Sequence, residues 1–385
     1  MQNTAPKKIL FFAHDSLLYG ASLSLITLLE YLSKDNSFEI MVLLPYGGII
    51  EERLKILKIN YKIISFPRCV ADKTNSIRLR IRKILNYYIR KFTILPEILS
   101  ESYQFKPDLV YTNTSVISIG HTIAQKLQIP HIWHIREFGG LDFNFNYLPC
   151  RLLVKNYIKK STNVIFASKA LLKHWVENEK ENYKVVYNGI ELKNLQILPR
   201  KTNSLFRFGL LGAILPGKGQ YTAIKAFISI IESHSDCELH FYGDIINCNY
   251  YNELKVMIDK SEAKQKIEFH SFIPDNRLIY NNIDILLNCS CNEGFGRTII
   301  EAMGLGIPVI ANANGGPLEI IDDGINGLLF NGTPESLLEK MIIIISDNQL
   351  YRKISENARQ KVLNYFSAEK YVEGVNEVIS KALQF

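Results

Sequence analysis

The chain has 385 residues, 47% of them hydrophobic and 22% charged, a length that exceeds one ordinary core and predicts two domains. No apolar run approaches the roughly 18–20 residues of a membrane-spanning helix, and MIIIIS at 341–346 is far too short. Six scattered cysteines, with only Cys289 and Cys291 close together, exclude a disulfide scaffold and a paired zinc site and fit a reducing cytoplasm. The net charge of +7 is uneven, because residues 1–190 carry +11 and the remainder −4. A basic first half predicts contact with something anionic. An anionic membrane surface serves at least as well as nucleic acid, for which the chain has no binding motif.

From the N-terminus, KILFFA (8–13) reads as a strand, and the absence of a cleavage-site pattern argues against a signal peptide. HDSLLYGASLSLITLLEYL (14–32) then turns into a helix opened by the small residues Gly20 and Ala21. Such a start suits close approach of a ligand, and equally an ordinary strand-to-helix turn. Strands EIMVLL and YKIISF follow. In SIRLRIRKILNYYIRKF (76–92) Ile77, Ile81, Ile84, Leu85, Tyr88 and Phe92 form a stripe at helical spacing, with Arg78, Arg80, Arg82, Lys83, Arg90 and Lys91 mostly around it. That is either a surface helix with a solvated basic face or a helix lying against anionic lipid headgroups. DLVYTN and HIWHIR come next, the latter delivering His134 to an expected cleft edge with Arg136 and Glu137 beside it. A histidine satisfied inside the core would look the same. NVIFAS and KVVYNG complete the first half, and the polar, proline-containing stretch 189–204 reads as a linker.

The second half repeats the alternation with FRFGLLGA, ELHFYG, IEFHSF, DILLNCS, PVIANA and GLLF. Apolar strands separated by amphipathic helices predict parallel sheets covered on both faces. The fold class is therefore α/β, two doubly wound Rossmann-like domains facing across a cleft, with ligand expected outside the carboxyl ends of the strands. Two loops carry chemistry. Lys218, after Pro216-Gly217, is a point charge suited to a diphosphate. Glu293 precedes the Gly294-Phe295-Gly296 turn, and Glu301 stands inside the apolar run 299–303, where a carboxylate is costly to bury unpartnered. Gly294 and Gly296 let main-chain amides approach a ligand, and the helix start of RTIIEAMG is an anion site. Glu293 suits sugar hydroxyls and Glu301 vicinal ribose hydroxyls, although both acids would also favour the positive end of the helix dipole. No Asp-x-Asp occurs, so no metal or other cofactor is expected.

EGFGRTIIEAMGLGIPVIA (293–311) resembles the signature of retaining glycosyltransferases of family 4, which have the GT-B fold and a pair of glutamates seven residues apart. ANGGPLEIIDDGINGLLF (313–330) is similar to the block that follows, LLGAILPGKGQ (210–220) to the phosphate block, VYNGI (186–190) to the Asn-Gly before the linker, and IWHIREF (132–138) to the strand with a cleft histidine. The final helix resembles the one that crosses back to the first domain. The resemblance implies an N-terminal acceptor domain (1–195 with about 368–385) and a C-terminal donor domain (200–367). It implies donor binding by Gly20, Gly212, Lys218, Glu293, Gly294, Phe295, Gly296, Glu301, Gly315 and Gly316, and an acceptor side of His134, Arg136 and Glu137. The implied substrates are a nucleotide-diphosphate sugar and a glycan or lipid-linked acceptor, met in the cytoplasm or peripherally at the inner face of the membrane. Two departures stand out. Ala213 follows Gly212 where relatives carry an arginine, and Arg297 is the expected substitute cation, making it catalytic with Lys218, Glu293 and His134. Tyr19 occupies the place of a second glycine. A sugar-nucleotide epimerase and a non-catalytic scaffold subunit are the competing readings.

Overall fold

The structure is a computed structural model and describes residues 5–384 apart from 75, 143 and 192–204, so most of the expected linker lies outside the described residues. Two compact units form, residues 1–189 with 368–385, and residues 190–367.

The first unit opens with β1 (Lys7–Phe12), α1 (Gly20–Leu32), β2 (Phe38–Leu44), α2 (Ile49–Ile56), β3 (Asn60–Ile63) and β4 (Val70–Asp72). It continues through α3 (Ile77–Phe105), β5 (Leu109–Asn113), α4 (Ile119–Leu127), β6 (His131–Ile135) and β7 (Phe145–Tyr147). α5 (Arg151–Lys160), β8 (Asn163–Phe166), α6 (Lys169–Trp175) and β9 (Tyr183–Val185) end its first segment. Seven strands make one parallel sheet in the order β3-β2-β1-β5-β6-β8-β9. The apolar runs read from the sequence supply all seven, because strands covered on both faces need no polar alternation. Short β4 and β7 pair antiparallel outside that sheet and went unread.

The second unit holds β10 (Phe206–Leu211), α7 (Gln220–Ile231), β11 (Cys237–Tyr242), α8 (Cys248–Asp259), β12 (Ile267–His270) and α9 (Asn276–Tyr280). β13 (Ile285–Asn288), α10 (Arg297–Gly304), β14 (Val309–Asn312), α11 (Pro317–Ile320), β15 (Leu328–Phe330), α12 (Pro334–Ser346) and α13 (Asn348–Tyr365) complete it. Its six strands are parallel in the order β12-β11-β10-β13-β14-β15. Crossing between β11 and β13 at β10 creates a topological switch point, where a doubly wound sheet leaves a crevice at its carboxyl edge. The last helix, α14 (Ala368–Leu383), belongs to the first unit, and its Tyr371, Val375 and Ile379 enter the core there with Leu25, Leu29 and Tyr111.

α3 departs from expectation. The helix runs 29 residues and contains Pro96. It buries Tyr87, Lys91, Leu95 and Ile98, while Ile77, Leu79, Ile81, Leu85, Ile89 and Phe92 stay exposed. The stripe read from the sequence thus faces solvent at four of its six positions, Ile77, Ile81, Leu85 and Phe92. Among the described residues no helix is long and apolar enough to cross a membrane.

The second unit depends on its aromatic core. Phe227 on α7 is fully buried and its ring meets that of Phe208 on β10 at 6.4 Å. Phe227→Ala is expected to cost about 3–5 kcal/mol, read as a lower denaturant midpoint for that unit's transition with its slope unchanged.

Candidate functional site

In the second unit, chemistry gathers where β10, β13 and β14 end. After β10, Gly212 donates its amide to the Tyr242 carbonyl at 2.9 Å, and a short 3-10 turn, Pro216–Lys218, raises Lys218. The turn closes on Gly219 at φ +74°, where a Cβ would lie 2.1 Å from the Cys289 carbonyl oxygen, so only glycine fits. After β13, Glu293 accepts from Lys218 Nζ at 3.3 Å, and the same ammonium reaches Ser290 Oγ at 3.4 Å. Both members of this ion pair are about four-fifths buried, with side-chain exposures of 20% and 17%. After β14, Asn314 accepts from the Glu293 amide at 3.0 Å and donates to the Ser290 carbonyl at 2.8 Å. The Gly316 amide donates to the Glu293 carbonyl at 2.8 Å, and a Cβ on Gly316 would fall 2.2 Å from the Phe295 carbonyl oxygen. Gly315, beside it, is half-buried. Three loops from three strands are therefore stitched to one another around Glu293.

Gly294, Phe295 and Gly296 are buried. The Phe295 ring packs edge-on to Phe366 at 5.9 Å, so it anchors the loop rather than offering its side chain to a ligand. Gly296 is the N-cap of α10, whose start has no side-chain cap. The positive end of a helix dipole at such a start favours negative charge.

Glu301 is the carboxylate that the apolar run made costly, and its partners account for it. Oε1 accepts from Arg297 Nε at 2.8 Å, one helical turn back. Oε2 accepts from Asn276 Nδ2 at 2.9 Å and from the Tyr280 hydroxyl at 3.1 Å. A carboxylate offers about four acceptor positions, so one remains. Burial, with Glu301 next to it, raises the Tyr280 hydroxyl far above its ordinary range and keeps it a donor. Asn276 and Tyr280 went unrecognised in the sequence because they lie on α9, more than twenty positions away, with no spacing to connect them to Glu301. Arg297, expected as the substitute phosphate cation, has its Nε committed to Glu301 here.

The first unit treats its expected residues differently. Gly20 opens α1 and is exposed. His134, expected at a cleft edge, is fully buried, because the α14 ring of Tyr371 lies 6.2 Å from its own. Its Nδ1 faces the Tyr111 hydroxyl at 2.5 Å and Arg136 Nη2 at 3.2 Å. The guanidinium can only donate, so Nδ1 carries the lone pair and Nε2 the hydrogen. That Nε2 has no hydrogen-bond partner among the described residues. Burial and Arg136 hold the imidazole well below its usual range, hence neutral. Arg136 is also buried, donating to Asn113, Asn188 and the Tyr371 hydroxyl. Glu137 is buried against the amide and hydroxyl of Ser115. Apart from His134 Nε2, the polar groups of the three residues read as an acceptor side are thus engaged inside the unit. Sequence reading passed over a neighbour, His14, which burial holds down at about 4 against the raising effect of Asp15. Asp15 itself accepts from Tyr46 and from Arg68 at 2.7 Å.

With this geometry in place, residues 199–361 match the family model "Glycosyl transferases group 1". The second unit is a group 1 glycosyl transferase domain. Beyond that unit, the chain is 28% identical to an uncharacterized glycosyltransferase of Methanocaldococcus jannaschii over 87% of this chain and 95% of that protein. It is 27% identical to the capsular polysaccharide biosynthesis glycosyltransferase CapM of Staphylococcus aureus, over 69% and 74%. Anabaena HepE, solved in complex with UDP and glucose, superimposes with a TM-score of 0.81 at 22% identity over 97% of this chain and 99% of that one. The shared architecture is the GT-B fold, built from two Rossmann-like domains.

Buried neutral histidines give the first unit a pH signature. His121 is held at about 4, and His131 and His134 well below 6.5, by burial first. Below pH 6.5 the unfolded chain binds protons there that the folded unit refuses, so stability falls as pH drops. Each such histidine contributes a slope of up to about 1.4 kcal/mol per pH unit. Thermal scans between pH 7.5 and 4.5 are expected to show the first unit's transition falling steadily below pH 6.5, and His121→Gln is expected to flatten the decline.

Proposed function

We propose that the chain is a retaining glycosyltransferase of family 4. It moves a sugar from a UDP- or GDP-sugar to a hydroxyl of a glycan or lipid-linked acceptor in cell-surface polysaccharide synthesis. The observation that carries the reading is the constellation of Lys218, Glu293, the uncapped start of α10 and Glu301 at the carboxyl edge of one sheet. Lys218 and the α10 amides take the diphosphate, Glu293 accepts from the sugar's hydroxyls, and the remaining acceptor position of Glu301 takes a ribose hydroxyl. The CapM relationship supports the polysaccharide setting, and HepE, solved with UDP and glucose, supports the donor class.

The bond between the anomeric carbon and the diphosphate oxygen breaks, and the acceptor oxygen bonds to that carbon on the same face. The acceptor's proton passes to the departing phosphate oxygen, so no protein nucleophile is required. Charge growing on the diphosphate meets Lys218 and the amides already in place, which is electrostatic preorganisation. Arg297 contributes through Glu301, orienting that carboxylate through the 2.8 Å contact of its Nε. His134, neutral with hydrogen on Nε2, has no lone pair aimed away from Tyr111 and Arg136 and serves as a positioning residue rather than a base. No metal is assigned a step.

Titration calorimetry against UDP and GDP, followed by donor turnover, tests the site. Lys218→Ala is expected to lower turnover about 100-fold or more while changing nucleotide affinity less. Glu301→Ala is expected to weaken nucleotide binding at least tenfold. Unchanged nucleotide binding and turnover in both variants would remove the site from this loop cluster.

On the acceptor side, a cavity of about 380 Å³ in the first unit is lined by Arg68, Lys83 and Arg90 with no carboxylate among its lining residues. Lys83 and Arg90 stand on α3, whose exposed isoleucines, leucines and Phe92 lie among exposed arginines. Apolar and cationic groups together suit the interface of an anionic bilayer, and the cavity suits the phosphate of a lipid-linked acceptor. Vesicle flotation is expected to recover the protein with phosphatidylglycerol vesicles and not with phosphatidylcholine. Replacing Arg78, Arg80 and Arg82 by glutamate should abolish that recovery, whereas equal flotation of the triple variant would discard the membrane reading.

A further inference from the structure

At the far edge of the second sheet, His240 on β11 and His270 on β12 project from the same face as Glu238 and Glu268. The parallel register explains this, pairing His240 with Glu268 and Tyr242 with His270. His240 Nδ1 lies 3.0 Å from His270 Nε2. Glu268 Oε2 lies 3.8 Å from the first of these atoms and 3.5 Å from the second. We propose that these three side chains form a binding site for a divalent transition ion of the zinc class, separate from the nucleotide-sugar reading above.

Geometry comes first. The three atoms define a triangle whose centre is about 2 Å from each corner, the length of a zinc bond to histidine nitrogen or carboxylate oxygen. Its edges are close to those of one face of a zinc tetrahedron, so little rearrangement is required. Two histidines and a glutamate form a recognised zinc ligand set that leaves a fourth position for water. The Glu268 and His270 side chains are 60% and 33% exposed, which gives that position access to solvent. His240 is 8% exposed and forms the floor.

Surrounding groups hold the ligands in the required state. Glu238 Oε2 stands 3.3 Å from His240 Nε2, so the hydrogen sits on Nε2 and the Nδ1 lone pair points at the site. A carboxylate behind a ligating histidine fixes its tautomer and raises its basicity. Arg207 Nε, 3.4 Å from the same Glu238 oxygen, holds that carboxylate in place. The Tyr242 ring stacks on His270 at 4.5 Å with planes 14° apart, setting the plane of the second imidazole. Without a cation, a single shared proton serves three converging acceptor atoms, and Glu268 is left at 3.5 Å or more from both rings.

The ion would tie β11 to β12 immediately before β12 passes into the segment leading to α9, whose Asn276 and Tyr280 hold Glu301. It therefore acts as a brace for the support of that carboxylate and takes no part in bond-making.

The test uses untagged full-length protein, stripped with chelator and dialysed against zinc or cobalt. Wild type is expected to retain one zinc per chain at micromolar free metal. Its cobalt form should show the visible absorption of a four-coordinate site, and zinc should raise its melting temperature. His270→Asn replaces a half-buried side chain and Glu268→Gln an exposed one, and both are expected to bind at least tenfold more weakly. Glu238→Gln, acting through His240, should weaken binding by about 10–100-fold with the cobalt spectrum retained at saturation. Failure of wild type to hold zinc, or equal retention by His270→Asn and Glu268→Gln, overturns the site. Nucleotide binding measured on the same samples distinguishes the two readings: zinc retained without nucleotide binding leaves the metal site standing and removes the donor site, and nucleotide binding without zinc does the reverse.

Discussion

A single carboxylate sets the terms for the second unit. Glu301 sits one turn into α10 with hydrophobic Ile299, Ile300, Ala302 and Met303 buried around it, and its charge has to be met locally. Arg297 supplies the counter-charge, and Asn276 and Tyr280 supply neutral donors from a different element. The pair is 13% exposed at each partner, deep enough that removing one would strand the other. Because α9 follows β12 and α10 follows β13, satisfying Glu301 links two crossovers of the sheet. A charge that costs folding energy on its own thereby fixes the position of the helix start beside Glu293.

The first unit solves the opposite problem. At the centre of its polar interior is an arginine, Arg136, just past the end of β6, that joins Asn113 at the end of β5, Asn188 and the Tyr371 hydroxyl of α14. Every one of these partners is an uncharged acceptor, and the ring of Tyr371 also lies 5.8 Å from the guanidinium. Arginine tolerates burial under such conditions because four of its five N–H donors find partners, in Asn113, Asn188, His134 and Tyr371. The neighbouring histidine bears the consequence by staying neutral. α14 is therefore held to the first unit by a polar bolt as well as by Val375 and Ile379.

Legibility in the sequence followed range. Every strand of the two parallel sheets was readable, since continuous apolar runs are a local signal, and α10 was read with its observed limits. β4 and β7, three residues each, carry no such run. The site loops were readable where glycines and charges cluster within a few positions, as at Lys218 and Glu293. What stayed hidden was contact at a distance. Nothing near Glu301 announces Tyr280, and nothing near His134 announces Tyr371, which arrives from more than two hundred residues away to lie 6.2 Å from the imidazole. The stripe on α3 left two readings open for a related reason: helical spacing shows that one face is apolar but not which face meets the core. There Tyr87 and Lys91 turn inward, with the Lys91 ammonium 5.9 Å from the Tyr87 ring, and the isoleucines turn out.

The resting pairing of Lys218 with Glu293 has a consequence for how the proposed donor engages. Two opposite charges about four-fifths buried neutralise one another at 3.3 Å and keep the loop ordered before any ligand arrives. A diphosphate brings at least two negative charges, outcompetes one carboxylate for the ammonium, and in doing so frees Glu293 to accept from hydroxyls. Binding of the anionic handle and recognition of the sugar are then steps of one exchange, since the group released by the first is the one the second requires. Ser290, within 3.4 Å of the same ammonium, and Asn314, tied to both Ser290 and the Glu293 amide, keep the two side chains from drifting apart while they trade partners. The missing arginine after Gly212 matters less in such an arrangement, because the exchange conserves one cation at the phosphate instead of adding another.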